Sequence, residues 1–102
     1  IIQPFTSIGD NCILWSGNHI GHHTAIKDHC FIASHVVISG NVTIGESSFL
    51  GVNCTISDNI NIGKSNVIGS SAVIFKNTDD NSVYSPAETE KSKVPSNRLR
   101  GF

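Results

Sequence analysis

Residues 20–44 read IGHHTAIKDHCFIASHVVISGNVTI, and an isoleucine stands at every sixth position of this stretch. The same spacing continues in both directions, from Ile2 to Ile74, with Leu14 and Leu50 as the leucines of the series. A helix does not repeat every six residues, whereas short strands with alternating side chains, each followed by a corner, do. The period therefore predicts a repeat fold built from many short strands.

Two further positions of each six-residue unit carry a consistent residue type. The residue directly after the aliphatic is often glycine, as at Gly21, Gly45 and Gly63. The fourth residue after the aliphatic is mostly small. The chain is rich in Ile, Val, Asn, Ser and Gly and contains no Met. β-Branched residues favour strands, while Asn and Gly tolerate the backbone of tight turns, so the composition agrees with the period.

The unit aliphatic–Gly–x–x–small–x resembles the hexapeptide repeat of the left-handed β-helix acyltransferases over residues 2–79. That resemblance implies an all-β fold, a left-handed parallel β-helix of about four coils with three units in each coil. Residues eighteen positions apart should stack in register, with the aliphatic side chains inside a triangular prism. We expect the β-helix domain over residues 1–80, and a closing strand with a short C-terminal arm over residues 81–102.

Length, charge and cysteine content narrow the functional classes. The chain has 102 residues and a formal net charge of −1, so it lacks the basic surface of a nucleic-acid-binding protein. No apolar run reaches the roughly 18 residues of a membrane span, and no signal peptide is visible, so we expect no membrane partner. Cys12, Cys30 and Cys54 have no CxxC spacing, which predicts buried free thiols and a cytoplasmic protein.

Five histidines are concentrated in seventeen residues: His19, His22, His23, His29 and His35. Three of them, His23, His29 and His35, are six residues apart and should occupy equivalent corners between successive faces. Their side chains diverge around the prism, so they cannot jointly bind one metal ion within a subunit. We therefore expect no metal site.

The segment around His22 resembles the catalytic-histidine segment of the sialic acid O-acetyltransferase and bacillosamine N-acetyltransferase branch of that family. The matching stretches are residues 18–22 (NHIGH), 40–46 (GNVTIGE) and 49–52 (FLGV). The resemblance implies that His22 is the catalytic base and that the backbone N–H of Gly40, one coil further, is the oxyanion donor. His23 stands where the branch has an acid. A neutral imidazole can orient His22 through a hydrogen bond, but it cannot stabilise an imidazolium as a carboxylate does.

Family position also implies acetyl-CoA as the acyl donor, bound in a groove between two prisms of a homotrimer. The residues that it places along the pantetheine arm are Phe31, Gly51, Val52, Gly69 and Ser70. Outward apolar side chains such as Trp15 and Phe49 agree with oligomerisation of a prism with a thin core. The acceptor is an amino or hydroxyl group of a sugar, which in that branch is linked to a nucleotide and held by an N-terminal domain. The first repeat starts at Ile2 with nothing before it to cap the coil, so we expect further chain ahead of Ile1.

Two other functions stay open at this point. A non-catalytic trimeric scaffold or binding protein is favoured by His23 in the place of an acid. A zinc enzyme like the γ-class carbonic anhydrases would share the fold, but its ligands span about two coils, and the histidines here lie between His19 and His35. The residues do not distinguish N-acetylation from O-acetylation.

Overall fold

The computed structural model describes residues 1–100, which form a prism of short parallel strands. Within these residues there are thirteen strands of two residues each: β1 Ser7–Ile8, β2 Ile13–Leu14, β3 His19–Ile20, β4 Ala25–Ile26, β5 Phe31–Ile32, β6 Val37–Ile38, β7 Thr43–Ile44, β8 Phe49–Leu50, β9 Thr55–Ile56, β10 Asn61–Ile62, β11 Val67–Ile68, β12 Val73–Ile74 and β13 Val83–Tyr84. A 3-10 turn, Ser96–Arg98, lies in the C-terminal arm. The predicted fold class, an all-β left-handed parallel β-helix of about four coils, is confirmed.

Three parallel sheets form the three faces of the prism. The first face contains β1, β4, β7 and β10, the second β2, β5, β8, β11 and β13, and the third β3, β6, β9 and β12. Neighbouring strands pair at a spacing of eighteen residues, as in Ser7 with Ala25 and Ile13 with Phe31. Each six-residue unit therefore supplies one strand to a face and one corner that leads to the next face.

The second residue of each strand forms the core. Ile20, Ile38 and Ile56 stack on the third face and are 0 % exposed. Burying an aliphatic side chain of this size stabilises a fold by about 1.5–3 kcal/mol. Ile2 and Ile8 are 59 % and 39 % exposed, because they belong to the first coil and have a neighbouring coil on one side. The aliphatic series is thus a core from the second coil onward.

One residue of each corner lies in the left-handed backbone region. His23, His29 and His35 have φ angles of 58°, 61° and 57°, and Asn41 and Asn59 have 56° and 60°. Asn and His adopt this region several times more often than most other residues. The three histidines occupy equivalent positions at successive corners, as their spacing predicts.

The three corners differ in their side chains, and we name them accordingly. The histidine corner joins the third face to the first, the acidic corner joins the first to the second, and the serine corner joins the second to the third. Their residues are 22–23, 40–41 and 58–59 for the histidine corner, 10–11, 28–29, 46–47 and 64–65 for the acidic corner, and 16–17, 34–35, 52–53 and 70–71 for the serine corner.

The last coil is two residues shorter than the others. Val67 pairs with Val83, sixteen positions further on. The strand that contains Val83 is β13, which lies after residue 80. The first face ends at β10. There, side-chain oxygens accept the backbone N–H groups that would otherwise bond to a further strand. Oδ1 of Asn77 and Oδ1 of Asp80 accept backbone N–H groups of β10 and of the corner after it, each at 2.8 Å. Residues 101 and 102 of the predicted arm lie outside the described residues.

The cysteines are free thiols of the interior. Cys30 and Cys54 are buried and Cys12 is half-buried. Burial raises the pKa of the Cys54 thiol to about 12 and also raises that of Cys30. In residues 1–100, every buried polar side-chain atom has a hydrogen-bond partner. No helix in this part of the chain has the length and hydropathy needed to cross a membrane.

Candidate functional site

Two imidazoles meet at the start of the histidine corner. His22 follows β3, and the left-handed turn at His23 leads into β4. Both rings are exposed, and their Nδ1 atoms lie 3.1 Å apart. A hydrogen bond between two Nδ1 atoms contains one proton, so one ring donates and the other accepts.

Side chains of the first coil hold this pair in place. Oε1 of Gln3 accepts a hydrogen bond from the backbone N–H of His22 at 2.9 Å. The ring of Phe5 stacks on the ring of His23, with their centroids 4.9 Å apart. His23 is therefore held with its Nδ1 toward His22. The Nε2 atom of His22 lies on the other side of the ring from the Nδ1–Nδ1 hydrogen bond.

Gly40 lies one coil beyond His22 on the same corner and is covered by its ring. A Cβ atom on residue 40 would lie 2.5 Å from Nε2 of His22 and 2.6 Å from its Cε1. No real Cβ contact is that short, so glycine is what gives the imidazole room over the backbone. The structure brings together the three residues for which the sequence predicts a catalytic role: His22, His23 and Gly40.

The backbone N–H of Gly40 already has an acceptor in the single chain. It donates to Oδ1 of Asp58 at 2.8 Å, and Asp58 is exposed one coil further along the corner. The sequence predictions did not include Asp58, although the eighteen-residue spacing that relates His22 to Gly40 also leads from Gly40 to position 58. The same spacing relates Phe5 to His23, and that contact was missed too.

The predicted pantetheine contact Phe31 lies on the second face, in a row of aromatic rings. The ring of Trp15 meets it edge-on and the ring of Phe49 stacks on it, both with centroids 5.2 Å away. Phe49 is 41 % exposed and Trp15 is 55 % exposed. This row is an apolar surface on the side of the prism opposite the histidine corner.

The other predicted acetyl-CoA contacts lie at or just before the serine corner. Val52 and Ser70 are exposed and lie one coil apart. A Cβ on Gly51 would lie 2.7 Å from the backbone N of Ser70, and one on Gly69 would lie 2.8 Å from Cδ of Pro86. Both glycines therefore make room for the following coil. Within one chain, none of these residues is on the corner that carries His22.

Two of the other histidines lie on other corners than this pair. His29 lies on the acidic corner, with Nδ1 at 3.0 Å from Nδ2 of Asn11. His35 lies on the serine corner, against Gly17. Among residues 1–100 there is no group of three or more His, Cys, Asp and Glu side chains that could hold a metal ion.

Comparison with known proteins agrees with this geometry at the level of the repeat. A family model described as bacterial transferase hexapeptide (six repeats) matches residues 5–40. The repeat of that family model has the same six-residue unit as the prism. A comparison of the sequence with curated proteins gives no match.

Solved structures with the same fold as this chain include two variants of perosamine N-acetyltransferase from Caulobacter crescentus, both in complex with CoA and GDP-perosamine. The variant with asparagine in place of a histidine is 24 % identical, has a TM-score of 0.81, and the match covers 89 % of this chain and 44 % of that one. The variant with alanine at that histidine is 17 % identical, has a TM-score of 0.57, and the match covers 90 % and 53 %. The chain thus spans about half the length of each structure.

Proposed function

We propose that this chain is the acyl-transfer portion of an acetyl-CoA-dependent sugar acetyltransferase, with His22 as the general base. The observation that carries the proposal is the position of the His22 ring, which bonds to His23 through Nδ1 and covers Gly40 with its Nε2 side. A histidine fixed at one nitrogen and free at the other is suited to proton transfer.

The chemistry follows from the two nitrogens of His22. When Nδ1–H of His22 donates to Nδ1 of His23, the Nε2 atom of His22 has a free lone pair. Nε2 removes the proton of the acceptor amine or hydroxyl as that group attacks the thioester carbon. The C–S bond then breaks, and the imidazolium returns the proton to the CoA thiolate.

The negative oxygen that develops on the thioester carbon needs a hydrogen-bond donor. We propose the N–H of Gly40 for this role, because Gly40 lies against the His22 ring and has no side chain to shield its backbone. The bond from this N–H to Asp58 means that the carboxylate must release it before the oxygen of the substrate can accept it.

We propose the acyl donor and the acceptor from the ligands of structures with a similar fold. The two similar structures are complexes with CoA and GDP-perosamine, a nucleotide-linked amino sugar. We propose acetyl-CoA as donor and a nucleotide-linked sugar with a free amino or hydroxyl group as acceptor. The unpaired cysteines agree with a reducing, cytoplasmic setting.

We propose that the complete site lies between two copies of the chain in a homotrimer. Phe31, Val52 and Ser70 are placed on the second face and the serine corner, away from His22, so one chain cannot bring both sets to one acetyl-CoA. The outward residues of the second face are all apolar, and exposed apolar patches of this kind mark protein interfaces. Those residues are Ile13, Phe31, Phe49, Val67 and Val83.

The function is tested by the release of free thiol from acetyl-CoA in the presence of nucleotide-linked amino and hydroxy sugars. We expect turnover by the wild-type protein and a loss of about 100-fold or more in His22→Ala, since the base is removed. The matched control is His29→Asn, which replaces an exposed corner histidine by a residue that tolerates the same backbone. Equal turnover in wild type and His22→Ala would contradict the proposal. Binding of CoA without turnover in any acceptor mixture would favour a non-catalytic binding protein.

The assembly is tested by light scattering, which measures molar mass in solution. We expect three times the mass of one chain for the wild type, and a lower mass for Phe49→Asp, which puts a charge on the apolar second face. Asn61→Asp places the same charge on the polar first face and should leave the mass unchanged. A monomeric wild-type chain would contradict the trimer.

A further inference from the structure

A carboxylate lies on the far side of Gly40 from the His22 ring. Oδ1 of Asp58 accepts the Gly40 N–H at 2.8 Å, while Nε2 of His22 would lie 2.5 Å from a Cβ on residue 40. The two side chains therefore reach the same glycine from the coils on either side of it. Because residue 40 has no side chain, only its backbone stands between the imidazole and the carboxylate.

The proposed chemistry has a need that His23 does not meet. When Nε2 of His22 takes the acceptor proton, the ring becomes an imidazolium, and a nearby negative charge stabilises that form. His23 offers a hydrogen bond through Nδ1 but no negative charge. Asp58 has the charge, and it lies on the same corner as the base.

We propose that Asp58 is the acidic partner of His22 in acyl transfer, an inference that rests on the proposed function. In the free protein its carboxylate holds the N–H of Gly40. As the imidazolium forms, the carboxylate is drawn toward it, and the released N–H of Gly40 donates to the negative oxygen of the substrate. One side chain thus stabilises the charged base and frees the oxyanion donor in the same step.

Other charged and titratable groups surround this corner. His23 shares the corner with His22, His19 lies on the preceding strand, and the amino group of Ile1 lies in the coil before. Lys76 lies one coil beyond Asp58. Within residues 1–100 there is one ion pair, between Lys64 and Glu46 on the acidic corner. Asp58 therefore has no cationic partner in this part of the chain.

The acidic corner contains a matched control. Oδ1 of Asp28 accepts the backbone N–H of Asp10 at 2.7 Å, which is the bond that Asp58 makes one corner away. Asp28 has no histidine ring across a glycine from it. If capping of the backbone is all that these aspartates do, the Asn variants of both should behave alike.

The test compares Asp58→Asn with Asp28→Asn. Each substitution keeps an oxygen that can accept the backbone N–H and removes the charge. Rates of thiol release at saturating acceptor are measured against acetyl-CoA concentration and against pH. For Asp58→Asn we expect kcat to fall about tenfold or more, the KM for acetyl-CoA to change less than about twofold, and the acidic limb of the pH profile to move to lower pH. Asp28→Asn should leave kcat and the pH profile as in the wild type, with the same small change in thermal stability as Asp58→Asn.

The outcomes separate the two proposals. Turnover by the wild type with an unchanged kcat and pH profile in Asp58→Asn would overturn the role of Asp58 and leave the proposed function standing. A parallel loss in Asp28→Asn would also overturn it, because the effect would then be one of backbone capping. No turnover by the wild type with any acceptor would overturn the proposed function and, with it, the role of Asp58.

Discussion

The histidine corner and the acidic corner share one backbone and differ in the side chains that stack on it. In both, an aspartate accepts an N–H from the coil before, Asp58 from Gly40 and Asp28 from Asp10. The histidine corner has glycine in the coil between its imidazole and its carboxylate, whereas the residue that donates to Asp28 on the acidic corner is Asp10, and it has no imidazole against it. The frame is common to all coils, so the chemistry of a corner depends on which side chains meet at eighteen-residue spacing.

The histidines of the two corners make the same point. His23 and His29 have nearly the same φ, 58° and 61°, and each has a partner for Nδ1. The partner of His23 is the ring of His22, at 3.1 Å, and that of His29 is the amide of Asn11, at 3.0 Å. A histidine in the left-handed position is thus a corner residue, and the ring beside it at position 22 is what distinguishes the candidate site.

The largest effect is expected from filling the gap at Gly40. In Gly40→Ala the new Cβ would displace the His22 ring, and a misplaced base costs about 100-fold in rate. The measurement is kcat/KM for thiol release from acetyl-CoA. Glu46→Ala places an alanine six residues further on, at the acidic corner and away from His22, and should retain wild-type activity. Retained activity in Gly40→Ala would break the distinction between the two corners.

The next effect concerns the core behind the corners. Burial raises the pKa of Cys54 from its ordinary value of 9.0 to about 12, so its neutral thiol stabilises the fold fully below pH 9. This stabilisation is lost as the pH rises toward 12. Between pH 8 and 11 we expect the free energy of unfolding of the wild type to fall by about 3 kcal/mol more than that of Cys54→Ala. Urea denaturation at a series of pH values measures it, and parallel curves for the two proteins would contradict a buried neutral thiol.

The smallest effect is expected where a side chain acts on His22 through His23. Phe5→Gly removes the ring that stacks on His23 and keeps a residue suited to the left-handed corner. We expect kcat to fall about threefold, because His23 then orients His22 less well. Asn11→Gly removes the partner of His29 on the acidic corner and should leave kcat unchanged. An equal loss in both variants would mean that the effect is one of general stability.

The faces and the core of the fold could be predicted from the period because every coil repeats the same local geometry. Ile20, Ile38 and Ile56 stack as the spacing requires, and so do the pairs along each face. The end of the prism could not be predicted in this way. After Ile74 the aliphatic series stops, and Asn77 bonds to the backbone of β10 through its side chain, so β13 pairs two positions out of phase.

The candidate site was predictable in position and incomplete in its contacts. Stacking by eighteen residues brings His22 and Gly40 to one corner, as the sequence predicts. The bond from Gly40 to Asp58 depends on a side-chain conformation, which a period in the sequence does not contain. In the proposed trimer, the place where the predicted acetyl-CoA contacts meet His22 depends on a second copy of the chain, and the sequence of one copy does not give that geometry.

The claim that two copies build one site is tested most directly by mixing two inactive variants. His22→Ala lacks the base, and Val52→Glu puts a charge at the exposed serine-corner residue that we place along the pantetheine arm. Each alone should be inactive in thiol release. In trimers refolded from an equal mixture, about a quarter of the sites would combine an intact His22 from one copy with an intact Val52 from the next, so we predict about a quarter of wild-type activity. No recovery of activity on mixing would contradict a site shared between copies.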